Sequence, residues 1–222
     1  MTVLRELVKG FKLIGVLFAV PGALVNILSM TGQLIAILNP IGAIPTLSIY
    51  IINMEQEQLR RVYRLVGISV PLLMVIFAVG GRYILQAFGV NLDAFRIAGG
   101  VLLMGVAMET LMAGGPRAVG TVKEPEEFVL VPVVTPLLVG PGTITELILF
   151  SALYPIYEVL IAALLSSAFT YIVIRFSQPL LRKLGSNTLK VLGRFMSLII
   201  AALAIGMILT GVTNYIESLH IV

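Results

Sequence analysis

Long apolar runs separated by short polar stretches divide the chain. The apolar runs cover residues 13–30, 34–52, 65–88, a third core run from near Ala94, then 128–151, 157–176 and 195–215. A helix needs about 20 apolar residues to cross the ~30 Å hydrocarbon core of a bilayer. The pattern predicts an all-α polytopic membrane protein with six core spans preceded by one extra N-terminal hydrophobic segment. The polar stretches 53–64, 89–93, 114–127, Tyr154-Pro155 and the basic stretch after Arg175 read as connections, and Thr31-Gly32-Gln33 reads as a turn before the first core span.

Two of the spans carry interruptions of their own. Leu38-Asn39-Pro40-Ile41-Gly42-Ala43-Ile44-Pro45-Thr46 lies in the first, and Val139-Gly140-Pro141-Gly142-Thr143-Ile144-Thr145 lies in the fourth, 101 residues further on. Proline removes a backbone donor and clashes with the preceding turn, and glycine adds backbone freedom, so both runs should break their helices within the membrane. Unpaired backbone groups persist at that depth only where they line a cavity or meet protein partners. A single Pro-Gly pair would be a packing kink. Matched interruptions in two halves of a chain are the pattern of a secondary transporter's binding site.

The halves correspond in order. Pro40 matches Pro141, Gly89-Val90-Asn91 matches Gly185-Ser186-Asn187, and Arg96 at the start of the third core span matches Arg194 at the start of the sixth. Three spans per half would insert the second half upside down, giving an inverted repeat of 3+3 transmembrane helices with discontinuous first and fourth core helices. The expected organisation is an N-terminal basic and hydrophobic segment (1–30), repeat 1 (31–113), a cytoplasmic linker (114–127) and repeat 2 (128–222).

Composition and charge sharpen this layout. With 59% hydrophobic and 12% charged residues, there is no room for a soluble domain. The net charge of +4 reflects topology rather than nucleic-acid binding. Thirteen of the fifteen Lys and Arg (5, 9, 12, 60, 61, 64, 117, 123, 175, 182, 183, 190 and 194) fall in segments assigned to the cytoplasmic side, leaving Arg82 and Arg96 elsewhere. The N-terminus is therefore expected inside and the C-terminus outside the cell membrane. Residues 1–30 resemble a signal peptide but lack a small-residue cleavage pattern, so they are read as a retained membrane segment. With no Cys and a single His220, read as a solvated tail residue, thiolate chemistry and metal or cofactor sites are not expected. No His-Glu-x-x-His pattern or serine elbow is present, so an enzyme is not expected either.

At the two broken motifs, and at Phe95-Arg96-Ile97-Ala98-Gly99-Gly100, the chain resembles the MarC family, which includes small neutral amino acid transporters of the SnatA type. The likeness covers residues 31–216. The resemblance implies an integral membrane protein of bacteria or archaea that moves small neutral amino acids such as glycine and alanine, coupled to protons; sodium is kept as the alternative ion should no carboxylate carry the proton. A passive channel or exporter of small solutes is the competing reading, and the oligomeric state stays open.

For such a zwitterion, amides freed after Pro40 and Pro141 suit the carboxylate and carbonyls before the breaks suit the ammonium. The expected substrate-binding residues are Asn39, Pro40, Gly42, Ala43, Gly140, Pro141, Gly142, Thr143 and Thr145. Asn39 reads equally as helix terminator or ligand. Thr143 and Thr145 read as ligands or as hydroxyls bonded back to their own helix. Glu146, one turn past the second break, is the candidate proton carrier, because desolvation there disfavours its charged form. Glu109 is the second candidate, or an interfacial carboxylate that snorkels. Arg82 and Arg96 read as outer anchors, surface ion pairs or gates. Ala98, Gly99, Gly100, Gly105 and Ala107 read as surfaces for close helix packing.

Overall fold

The computed structural model describes residues 22–51, 54–113 and 138–219, and among them the regular secondary structure is entirely helical. In chain order the helices are α1 (Gly22–Leu38), α2 (Pro40–Ile51), α3 (Gln56–Ala87), α4 (Leu92–Ala113), α5 (Pro141–Leu153), α6 (Ile156–Arg175) and α7 (Ser177–Leu219). Residues 1–21, the linker 114–127, the first half of the fourth core span, His220 and the side chain of Arg82 lie outside the described residues. Five helical stretches here are long and apolar enough to cross a membrane: Gly22–Pro45, Gln56–Gly81, Leu92–Met112, Ile156–Arg175 and Ser177–Leu219. The short apolar helix α5 continues the fourth span beyond its break.

Three expected connections are helical instead. No turn forms at Thr31-Gly32-Gln33: α1 runs straight through it, with Thr31 Oγ1 donating to the Ile27 carbonyl at 2.6 Å and Gln33 Nε2 to Ser29 Oγ at 3.1 Å. The polar side chains are satisfied within the helix, so nothing forces the backbone to turn. The expected boundary at residue 30 therefore falls in the middle of a helix. The polar stretch before Arg64 is the opening of α3, which begins at Gln56 after the Glu55 amide donates to Gln58 Oε1 at 3.0 Å. At 32 residues this helix is about 48 Å long, more than the hydrocarbon core needs, so its charged first turns project beyond it. The basic stretch after Arg175 is also helical, interrupted within α7 by Gly185 at φ 76°.

The turn at Gly89 forms as expected, with φ 60° there, a conformation glycine adopts without steric cost. Asn91 Oδ1 then accepts from the amides of Asp93 and Ala94 at 2.8 and 3.2 Å and starts α4.

Helix α3 shows how the bundle is solvated. One face buries Val62, Val66, Val70, Met74 and Ala78, and the other exposes Ile68, Leu72, Ile76, Val79 and Tyr83. Both faces are apolar at helical spacing, the property of a helix that meets protein on one side and lipid on the other. The uncharged stretch 195–216 of α7 is about 33 Å long, close to one hydrocarbon thickness.

Two ends can be told apart. At the basic end the Arg175 guanidinium lies 5.0 Å from the centre of the Tyr63 ring, joining the end of α6 to the start of α3. At the turn end Asn26 Nδ2 of α1 donates to Glu158 Oε2 of α6 at 3.0 Å. The broadest interface is between α4 and α7, and α3 packs on α6. The segments after the two breaks pack crosswise: α2 lies on α7, and α5 lies on α4.

Small residues make these approaches possible. A Cβ on Gly100 would lie 2.7 Å from the Ala204 carbonyl oxygen, one on Gly211 2.9 Å from the Asp93 carbonyl oxygen, and one on Gly193 2.8 Å from Gly42 Cα. Without water to drive apolar surfaces together, such close backbone contact is what holds membrane helices in register. Of the small residues expected to serve this role on α4, Gly99, Gly100 and Ala107 are buried, whereas Ala98 and Gly105 face outward.

Candidate functional site

The first break is a one-residue hinge. Asn39 adopts φ 42°, a left-handed conformation that asparagine tolerates better than most side chains. Its amide donates to the Ile35 carbonyl at 3.0 Å, ending α1, while its own carbonyl accepts from the Ala43 amide at 3.1 Å, starting α2. Asn39 Oδ1 accepts from the Gly42 amide, also at 3.1 Å. Between the two roles left open for Asn39, this geometry makes it the terminator of one helix and the cap of the next. Pro40 occupies the first position of α2, where its missing N–H costs nothing.

The second break is built differently. Gly140 is extended at φ −85° and ψ −179°, Pro141 opens α5, and no side chain among the described residues caps this N-terminus. Thr143 Oγ1 reaches back across the break to the Leu138 carbonyl at 3.3 Å, and Thr145 Oγ1 donates to the Pro141 carbonyl at 2.9 Å. Both threonine hydroxyls are thus bonded back to their own chain segment. Among the described residues the positive end of the α5 dipole, in contrast with that of α2, carries no side-chain acceptor.

The fold brings the two breaks together. A Cβ placed on Gly142 would sit 3.6 Å from Ile37 Cγ2, two residues before Asn39, and closer still to Leu103 Cδ2 of α4. Asn39, Pro40, Gly42, Ala43, Gly142, Thr143 and Thr145 are buried, Gly140 is half-buried and Pro141 is exposed. Gly42 and Gly142 do not face open space here. Beside Gly42 stands the Asn39 side chain, with Gly193 of α7 against its backbone, and beside Gly142 stands Leu103. A bulky residue at Gly42 or Gly142 therefore disturbs helix packing as well as any ligand, and neither substitution reports on binding alone.

The carboxylates divide clearly. Glu146 is 4% exposed, and its Oε2 has no hydrogen-bond partner among the described residues. Glu109 stands on the exposed face of α4, one turn from its end. Arg96, expected as an outer anchor, a surface ion pair or a gate, does form an ion pair but is 9% exposed rather than at the surface. It lies one turn from Gly99, which packs on Thr145, the residue before Glu146. Its Nη1 meets Asp93 Oδ1 at 3.5 Å.

Two features escaped the sequence reading. Glu158 is 3% exposed, between Asn26 and the Tyr157 hydroxyl, which donates to its Oε1 at 3.1 Å. Its signal was present, an ionisable residue just inside an apolar run, and such residues merit a functional hypothesis. The second is Asn214 Nδ2, which donates to Asp93 Oδ1 at 3.1 Å across 121 residues of sequence. No local pattern announces that contact.

Comparison with known proteins fits this architecture. The model for MarC family integral membrane proteins matches residues 24–216, beginning inside α1 rather than at residue 31. A UPF0056 membrane protein of Methanocaldococcus jannaschii is 32% identical over 190 residues, covering 81% of this chain and 92% of the relative. One from Pyrococcus abyssi is 33% identical over 182 residues, covering 81% and 90%. One from Buchnera aphidicola is 29% identical over 189 residues, covering 81% and 88%. No solved structure matches. A helical bundle whose two broken segments and Phe95–Gly100 motif all lie within the matched region leaves one assignment: the chain belongs to the MarC family of integral membrane proteins.

Proposed function

We propose that the protein is a secondary transporter of small neutral amino acids, glycine and alanine, driven by protons, with its site where the two helix breaks meet. The observation that carries this reading is the contact of the breaks, with Ile37 of the first beside Gly142 of the second. Broken helices that converge within a membrane bundle offer backbone groups to a zwitterion without needing charged side chains. The uncapped α5 N-terminus suits the carboxylate, and Glu146, one turn further along, suits the proton. This assignment involves no enzyme chemistry.

Two further points support an inverted pair of repeats. Pro40 and Pro141 both open the helix after a break, and Gly89 and Gly185 both take left-handed backbone before the last span of their half. The crosswise packing of α2 on α7 and α5 on α4 is what a two-fold axis in the membrane plane would produce. The basic end is read as cytoplasmic and the turn end as external. Single cysteines replacing Ser186 and Ser218, both exposed, are expected to label only from the cytoplasm and only from outside respectively. Labelling of both from one side would reject the orientation.

The test of function is uptake of labelled glycine and alanine into proteoliposomes. Saturable uptake that exceeds equilibrium when a pH gradient is imposed is the expected result. Accumulation with a sodium gradient alone would reassign the coupling ion. Flux that neither saturates nor accumulates would indicate a channel, and absence of any flux would refute the amino acid reading.

A further inference from the structure

Three charged or polar side chains converge where α4, α5 and α7 meet near the turn end. Asp93 Oδ1 receives both Arg96 Nη1 at 3.5 Å and Asn214 Nδ2 at 3.1 Å, so one carboxylate oxygen joins a guanidinium on its own helix to an amide on α7. Beside Thr145, against which Gly99 of α4 packs, stands Glu146 of α5, buried and with no partner for its Oε2 among the described residues. An ionised carboxylate in apolar surroundings would be expected to draw the nearest cation to itself. Here the buried Arg96 is paired with Asp93 and, among the described residues, Glu146 Oε2 is left unpartnered. That arrangement suits a protonated Glu146.

We propose that Arg96 is a positioning residue that exchanges between two carboxylates. It holds Asp93 while Glu146 is protonated and turns to Glu146 when that carboxyl ionises, so that one buried proton decides whether α4 is fastened to α7 at the turn end. The step involves only a proton: it is taken from water by one carboxylate oxygen of Glu146, changing that side chain from −1 to neutral, and is returned to water in the reverse step. Arg96 keeps its charge throughout. With Glu146 neutral, Asp93 is the remaining partner for the guanidinium, and its Oδ1 is held where Asn214 can reach it. With Glu146 ionised, the guanidinium leaves and the Asp93–Asn214 contact loses its support.

The other charged groups near α5 do not compete for this role. On α4, Glu109 is at the far end and on the exposed face; on α6, Glu158 is held by Asn26 and Tyr157, and Arg175 is at the basic end. Helix α1 carries no charged residue, and Glu57, Arg60, Arg61 and Arg64 lie in the first turns of α3 at the basic end. The side chain of Arg82 of α3 and the charged residues of the linker lie outside the described residues.

The proposal rests on reading Glu146 as the titrating group but not on which solute is carried. The test uses the cysteine-free chain with spin labels at Ala94→Cys and Tyr215→Cys, both exposed positions on α4 and α7, reconstituted in lipid nanodiscs. Between acidic and alkaline buffer the label distance is expected to lengthen by about 2 to 5 Å, the scale of a helix shift. E146Q should hold the short distance at both extremes, D93N should hold the long one, and R96K should retain a response that R96Q loses. An unchanging distance in the labelled parent, or an E146Q or D93N response equal to that of the parent, would overturn the switch. A normal distance response in protein that moves no glycine or alanine would instead reject the transport reading and leave the switch standing.

Discussion

A leucine at Gly99 is expected to cost most of the folded protein. The first side-chain carbon alone would overlap the Thr145 methyl of α5, and it would come within 3.2 Å of Met207 Cε of α7. The Thr145 side chain cannot swing away freely, because its hydroxyl is bonded to the Pro141 carbonyl at the break. Overpacking a close-packed interior costs about 1 to 3 kcal/mol even for small additions. Here two helix contacts are forced apart at once, and in lipid no hydrophobic drive opposes the separation. Gly105→Leu on the same helix is the control, since a Cβ there meets nothing within 4 Å. Thermal unfolding in detergent, followed by the fraction remaining monodisperse, should show a large loss for Gly99→Leu and little change for Gly105→Leu. Equal stability of the two variants would contradict the packing.

The second large effect is expected from Glu146→Gln. Glutamine keeps the size and hydrogen-bonding capacity of the side chain but takes no proton, so exchange of labelled glycine across the membrane should survive. Accumulation should not. With one proton per amino acid, each pH unit of gradient supports about tenfold accumulation, equivalent to about 1.4 kcal/mol. The variant should lose that entire factor and bring internal glycine to the level reached without a gradient. Undiminished accumulation in Glu146→Gln would remove the residue from the coupling mechanism. The same measurement on Glu109→Gln should show no change, because that carboxylate faces away from the breaks.

Some of this could be read directly from the chain because its causes are local. Proline at 40 and 141 removes a donor and obstructs the preceding turn whatever surrounds it, so the positions of both breaks were legible, and so was the tight turn at Gly89. The positions expected for the connections were less accurate. Thr31, Gln33 and the arginines at 60, 61 and 64 are polar without being helix breakers, and a polar stretch in a membrane protein is as readily the end of a long helix as a loop. The roles of residues at the breaks were only half legible. That Thr145 bonds back to its own helix follows from threonine's preference for the backbone carbonyl oxygen one turn earlier. That Gly42 is filled by Asn39 and Gly193, rather than left open, depends on a helix 150 residues away.

By itself, then, the sequence determined that this is a helical membrane protein, where two of its helices break, and which segments are basic. Those are properties of hydropathy, backbone sterics and charge, each decided within about one helical turn or one span. Only the tertiary structure decided that Arg96 is buried rather than at the surface, that Glu146 has an oxygen without a partner among the described residues, and that Asp93 reaches Asn214 while Glu158 reaches Asn26. These contacts join residues 121 and 132 positions apart, and they follow from which helices pack together and how deeply their glycines let them approach. In a membrane, where every residue of a span is already out of water, that choice of neighbour is made by shape and by the need to partner buried polar groups, and neither is visible along a single helix.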